Sequence, residues 1–202
     1  MNNEDRLKQY LESVALRKEA LRKILKDILQ TDKTFKTLEI GSGHGDFLVQ
    51  YAQNFPERFC VGIDLITQRI AKSNRKANRA NLTNVTFIKA RAEEVLECQP
   101  EDFLWNEVIV LYPDPWPKNR HHKNRLFQVE FLSQLAQCVI PGAKIHFETD
   151  SLPYFEETCQ RVETHPNWHS ITCKSYTVNT VFSRLTGQQG HHAVFENKLL
   201  KN

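Results

Sequence analysis

From Thr31 onward, short apolar runs that stop at glycine, aspartate or proline alternate with polar stretches whose apolar residues recur at helical spacing. The runs are TLEIG (37–41), FCVGID (59–64), NVTFIKA (84–90), EVIVLYP (107–113) and AKIHFET (143–149), the last entered through a Pro141-Gly142 turn. Helices are expected at 46–55, 67–80, roughly 124–138 and about 152–162. Two parallel strands can be joined only by a long crossover, usually a helix, so this alternation demands a mainly parallel sheet with helices on both faces. SITCKSYT and HAVFENKLL close the chain as two strands with no helix pattern between them, which places an antiparallel hairpin at the end. The fold class is therefore α/β, doubly wound. Ahead of it, Leu7, Leu11, Val14, Leu21, Leu25 and Ile28 follow helical spacing in a highly charged segment, an expected helix or helix pair. The division expected is a helical extension over 1–30 and one domain over 31–202.

Composition narrows the function classes. A chain of 202 residues, 40% apolar and 25% charged, can bury one substantial core. A formal charge of +3 is too small to demand a polyanionic partner, but its distribution is uneven. Between Leu65 and Ala92 lie Arg69, Lys72, Arg75, Lys76, Arg79, Lys89 and Arg91 with no acid, whereas acids gather at 93–97 and 156–163. Solvated helix faces would explain these runs as well as a ligand would. Five cysteines, odd in number and never spaced C-x-x-C, suit free thiols in a reducing cytosol rather than disulfides or a zinc site. The adjacent pairs His121-His122 and His191-His192 lack ligand partners at useful spacing, so no metal is expected. No run of 18 apolar residues occurs and the N-terminus is charged, which leads to the expectation of a soluble cytoplasmic protein.

In a doubly wound sheet, ligands bind beyond the carboxyl ends of the strands. The first strand ends LEIGSGHGDFL, with Gly41, Gly43 and Gly45 between strand and helix. Glycines there let the backbone turn tightly and approach a ligand without Cβ interference. A dinucleotide fingerprint requires its third glycine at 46, where this chain has Asp46. The second strand ends in Asp64, a carboxylate placed to accept both ribose hydroxyls of an adenosine. With Glu39 ahead of the glycines, the pattern resembles the S-adenosylmethionine site of class I methyltransferases, whose seven-stranded sheet ends in the same antiparallel hairpin. That resemblance also implies Arg91 and Ala92 beside the adenine.

The fourth strand runs into LYPDPWPKNRHHKNRL, where one carboxylate, Asp114, sits between prolines ahead of a cationic segment. Proline fixes φ and removes N–H donors, so the carboxylate is held still. This stretch is similar to the signature of the tRNA (guanine-N7-)-methyltransferase family, which methylates a variable-loop guanine. LEIGSGHGDFL, VGID, NVTFIKARAEEVL, ETD (148–150) and TVFS (180–183) occur in family order across roughly 37–200. The resemblance implies S-adenosylmethionine as methyl donor, tRNA as partner of a monomer or homodimer, and Asp114 at the reacting centre. Asp114 would accept from guanine N1–H and its amino group, or support the donor; both remain open. Lys118, Arg120, Lys123 and Arg125 would grip phosphates, Trp116 would pack on the extruded base, and Asp150, Thr180, Phe182 and Ser183 would hold the substrate. Asp150 reads equally well as the N-cap of the helix that follows, and Thr180 as an ordinary strand residue.

The chain departs from the family at Arg91, where an acid is usual, and at Ser183, where the family has glutamate. Glu148 and Asp150 are the acids available to compensate. Tyr112 replaces a usual phenylalanine and Asn124 a usual basic residue. Two other readings follow. One is a catalytically weakened member acting as an RNA- or partner-binding protein. The other takes DPW as a variant of the Asp/Asn-Pro-Pro-aromatic loop of amino-methyltransferases acting on another nucleic-acid substrate.

Overall fold

The computed structural model describes residues 3–171 and 190–198. Along the chain, α1 (Asn3–Ile28) precedes β1 (Phe35–Ile40), α2 (Asp46–Asn54), β2 (Arg58–Asp64), α3 (Thr67–Arg79), β3 (Val85–Lys89), α4 (Ala92–Cys98) and β4 (Trp105–Leu111). Then follow α5 (Val129–Gln137), β5 (Val139–Thr149), α6 (Leu152–Thr164), β6 (Trp168–Ile171) and β7 (His191–Asn197). Among the described residues, seven strands form one sheet in the order β3-β2-β1-β4-β5-β7-β6. Of these, only β7 runs against its neighbours, pairing antiparallel with β5 and β6. The expected doubly wound, mainly parallel sheet is therefore the one observed, and the order reverses between β1 and β4.

Side-chain alternation along the strands builds the two layers. Val108 and Val110 of β4 join one core with Leu21 and Leu25 of α1, Val95 of α4, Phe131 of α5 and Tyr154 of α6. Ile109, between them, faces the other core with Leu48 of α2 and Ile70 of α3. Nearer the amino ends of the strands, Glu107 is buried without being stranded. His146 Nε2 lies 3.1 Å from it, the Tyr51 and Thr37 hydroxyls donate to it, and Arg58 approaches within 3.4 Å. Those partners hold its carboxyl below the usual range despite burial, which opposes them as the largest single influence.

Several boundaries differ from expectation. The helix expected from about 124 begins at Val129; residues 119–124 form a separate 3-10 helix. Pro141-Gly142 lies inside β5 rather than ahead of it, with Gly142 at φ 76° on an exposed bulge. α4, between β3 and β4, has too few turns to show a periodicity. Of the apolar stripe on α1, Leu21 and Leu25 are buried and Ile28 packs on the core, while Leu7 and Leu11 are exposed. The acidic runs are tertiary partners rather than bare solvated faces: Glu94 pairs with Arg17 and Glu97 with Lys18, tying α4 to α1. Among the described residues no helix is long and apolar enough to cross a membrane.

Candidate active site

The turn after β1 sits at the reversal of strand order. Gly41 and Ser42 donate backbone N–H bonds to Ile63 O at 2.9 and 2.8 Å, which folds the turn back over β2. Gly41, Gly43 and Gly45 all have left-handed φ, at 76°, 55° and 72°. Their surroundings differ. A Cβ at Gly41 or Gly43 would meet nothing within 4 Å, whereas one at Gly45 would lie 2.7 Å from Ser73 Cβ. Gly45 thus allows α3 to pack on the turn, and Gly41 and Gly43 border open space.

Two carboxylates flank that turn. Asp64 Oδ2 accepts from Gly43 N at 3.1 Å and Oδ1 from Ile66 N at 2.8 Å, with the Arg69 guanidinium 3.4 Å away. Glu39 is 3% exposed, and its Oε2 has no hydrogen-bond partner among the described residues; neither has the buried Ser42 hydroxyl. Burial first, then the charges of Asp46 and Asp64, push the Glu39 carboxyl up to about 8. A buried acid with an open oxygen, beside glycines that leave room, fits a cationic ligand at this end. Ala92, the buried first residue of α4, lies on the same side through the bond from Ala90 N to Asp64 O at 3.3 Å; Arg91 is exposed.

β4 neighbours β1, so its carboxyl end opens beside the glycine turn. The chain bends sharply there: Tyr112 and Trp116, on either side of Pro113-Asp114-Pro115, adopt φ of 50° and 45°. Left-handed backbone at bulky aromatics costs about 1–3 kcal/mol each and persists only where neighbours enforce it. The enforcing contacts are visible. Tyr112 N donates to Glu148 O at 2.7 Å, and its hydroxyl donates to Glu148 Oε1. Arg125 Nε donates to Pro115 O at 2.8 Å from a side chain only 2% exposed, which also pairs with Glu157 and lies over the Tyr154 ring. Asp114 itself is exposed.

A family profile described as "Putative methyltransferase" matches residues 33–200. The tRNA (guanine-N(7)-)-methyltransferase of Alkalilimnicola ehrlichii is 32% identical over 175 residues, covering 81% of this chain and 73% of that protein. The chain belongs to the tRNA (guanine-N7-)-methyltransferase family. The protein of the same name from Caulobacter vibrioides is 36% identical over 131 residues, 65% of this chain; the match spans 58% of that relative's length. Among solved structures, the antibiotic-resistance methyltransferase Kmr superposes with a TM-score of 0.60 at 16% identity, over 90% of this chain and 94% of its own. At that identity the likeness is one of fold.

Set against the family signature, the structure gathers Glu39, Gly41, Gly43, Asp64 and Ala92 at the ends of β1 and β2, and Asp114 at the adjacent end of β4. Lys118, Arg120 and Lys123 are exposed on the segment that follows. Arg125 is not a phosphate-gripping cation, because its guanidinium is consumed inside the fold. Asp150 is exposed and is not the helix cap; Ser151 caps α6, its hydroxyl accepting from Tyr154 N at 3.4 Å. Thr180, Phe182 and Ser183 lie outside the described residues. The brace formed by Arg125 and Glu157 leaves no local signal in the sequence, since an arginine in a basic run and a glutamate in an acidic run each read as surface.

Proposed function

We propose that this chain transfers a methyl group from S-adenosylmethionine to N7 of a guanine in the variable loop of tRNA. The observation that carries this reading is the juxtaposition, at neighbouring strand ends in a member of this family, of the open Gly41–Gly43 turn with Glu39, whose Oε2 has no partner among the described residues, and the exposed Asp114 between prolines. When bound, S-adenosylmethionine supplies an electrophilic sulfonium methyl. Asp64 would take its ribose, Glu39 its positive charge, Gly41 and Gly43 its close approach, and Ala92 with Arg91 its adenine.

Guanine N7 carries a lone pair and no proton, so transfer needs no general base. What this chain must provide is alignment and charge control. Asp114, fixed by two prolines and by the Arg125 bond to Pro115 O, places negative charge where the base becomes positive. Lys118, Arg120 and Lys123 would hold phosphates around an extruded nucleotide, with Trp116 packed against it and Asp150, Thr180, Phe182 and Ser183 completing the substrate side. We also take residues 1–30 as an extension of the catalytic domain, supported by a family match that begins at 33, and the active species as a monomer or homodimer, which sedimentation separates.

The test is transfer of labelled methyl from S-adenosylmethionine to unmodified tRNA, followed by cleavage at N7-methylguanine. Transfer to a variable-loop guanine is expected, and Asp114→Ala should abolish it while leaving circular dichroism unchanged. Salt-dependent tRNA binding without transfer would instead identify a catalytically silent binder, and methyl on an exocyclic amine would identify an amino-methyltransferase.

A further inference from the structure

Tyr112 and Glu148 form a pair that the mechanism above does not use. Leu111 and Glu148 are register partners at the carboxyl ends of β4 and β5. The bond from Tyr112 N to Glu148 O continues the ladder one residue further, and the Tyr112 hydroxyl then reaches back to Glu148 Oε1. Tyr112 manages this with a left-handed φ of 50°, two residues before Asp114. Across β5, Glu148 faces His192 of β7. Gly190 closes over the pair so tightly that a Cβ there would lie 2.9 Å from Glu148 Cγ, from Glu148 Oε1 and from the Tyr112 hydroxyl oxygen.

A second carboxylate is therefore held at the strand ends that carry Asp114, half-buried, with one oxygen fixed by a phenol and Gly190 packed against it. Structural anchoring of β4 to β5 is already supplied by the parallel ladder and the main-chain bond from Tyr112. Guanine is the base whose Watson–Crick edge offers two adjacent donors, N1–H and the exocyclic amino group, and a carboxylate is their natural acceptor. Adenine presents an acceptor at N1 and is repelled. The Watson–Crick edge lies across the purine from N7, so a base held by that edge presents N7 away from the holding carboxylate.

We propose that Glu148, oriented by Tyr112, is the specificity-determining residue that reads the Watson–Crick edge of the target guanine. The assignment rests on the function proposed above and leaves Asp114 to act on charge at the reacting centre. Glu148 selects the base, and Tyr112 is a positioning residue that acts through it.

A chemical double-mutant cycle tests this. Single-turnover methylation is measured for tRNA carrying guanine or inosine at the target position, with wild type, Glu148→Gln, Glu148→Ala and Tyr112→Phe. Inosine keeps N7 and N1–H and lacks only the amino group. Wild type should lose roughly ten- to a hundredfold on inosine, the range for one hydrogen bond to a charged group. Glu148→Ala should be slow on guanine and show almost no further loss on inosine, with Glu148→Gln and Tyr112→Phe between. A variant that was merely less stable would lose equally on both tRNAs. An inosine penalty as large in Glu148→Ala and Glu148→Gln as in wild type would overturn the role of Glu148. Wild type inactive on guanine would overturn the functional reading beneath it.

Discussion

At the scale of single residues, Glu39 has the most distinctive environment. Its carboxyl is buried among carboxylates with an oxygen unpartnered among the described residues, and its titration is pushed up from 4.5 to about 8. The folded protein thus holds a proton there that the unfolded chain gives up near pH 4.5. Because the folded state binds more protons between those values, this group's contribution to stability is complete below about pH 4.5 and falls as pH rises to about 8. Glu39→Gln should flatten that decline, making the ligand-free protein more stable than wild type above pH 8 by up to a few kcal/mol and little different near pH 4. Thermal melts at the two pH values measure it. The same variant should weaken S-adenosylmethionine binding in calorimetry, most of all above pH 8, where the free protein already carries the carboxylate charge that glutamine lacks. Glu39 was legible in the sequence as the acid preceding the glycines; its loneliness was not, because only the folded neighbours determine whether an oxygen finds a donor.

Among the elements, the glycine turn and the proline loop are each held from elsewhere in the chain. Gly45→Ala would drive a methyl to 2.7 Å from Ser73 Cβ while keeping a left-handed φ, and should cost about 2–4 kcal/mol of stability in urea unfolding. Gly43→Ala meets nothing within 4 Å and should cost about 1–2 kcal/mol, the left-handed penalty alone, yet harm donor binding more. The two glycines, alike in the sequence, should therefore separate stability from binding. The proline loop depends on α6 through Arg125. Arg125→Ala leaves the half-buried Glu157 with Arg161 and His122, so the acid is not abandoned. A destabilisation of about 2–3 kcal/mol is expected, below the usual cost of stranding a buried charge. Methyl transfer should fall further than stability explains, because Pro115 O loses the donor that sets the angle of the Asp114 loop; single-turnover rates at saturating donor would show it. The strand-and-helix alternation that defines these elements was readable from periodicity, whereas the 3-10 helix at 119–124 and the bulge at Pro141-Gly142 were not, since neither has a repeating apolar pattern.

For the whole molecule, charge is sorted by tertiary packing. Arg17 and Lys18 of α1 are tied to α4, Lys76 pairs with Asp46 across the glycine turn, and Arg125 is internal. Lys118, Arg120 and Lys123 are exposed at the carboxyl end of the sheet, where a polyanion could reach them. Changing these three to alanine should leave the melting temperature nearly unaltered. The slope of log affinity for tRNA against log salt should become shallower by about two to three. A slope that does not change would place the phosphate contacts on other residues, such as the exposed Lys72, Arg75 and Arg79 of α3.

The order of the strands and of every helix but α4, the parallel sense of the sheet, the glycine turn and the positions of Glu39, Asp64 and Asp114 at strand ends were determined by the sequence itself. They depend on local periodicity, on backbone conformations that few residues can adopt, and on chain-order motifs. Tertiary structure alone decided which members of those motifs are free and which are occupied. It turned Arg125 from a candidate phosphate ligand into a brace, gave the α6 cap to Ser151 rather than Asp150, made Gly45 a packing contact, and brought Tyr112 to Glu148. The physical reason is the same each time: a charge or hydroxyl has its role set by what lies within about 3–4 Å. Those neighbours come from segments distant along the chain, 36 positions apart for Tyr112 and Glu148 and 32 for Arg125 and Glu157.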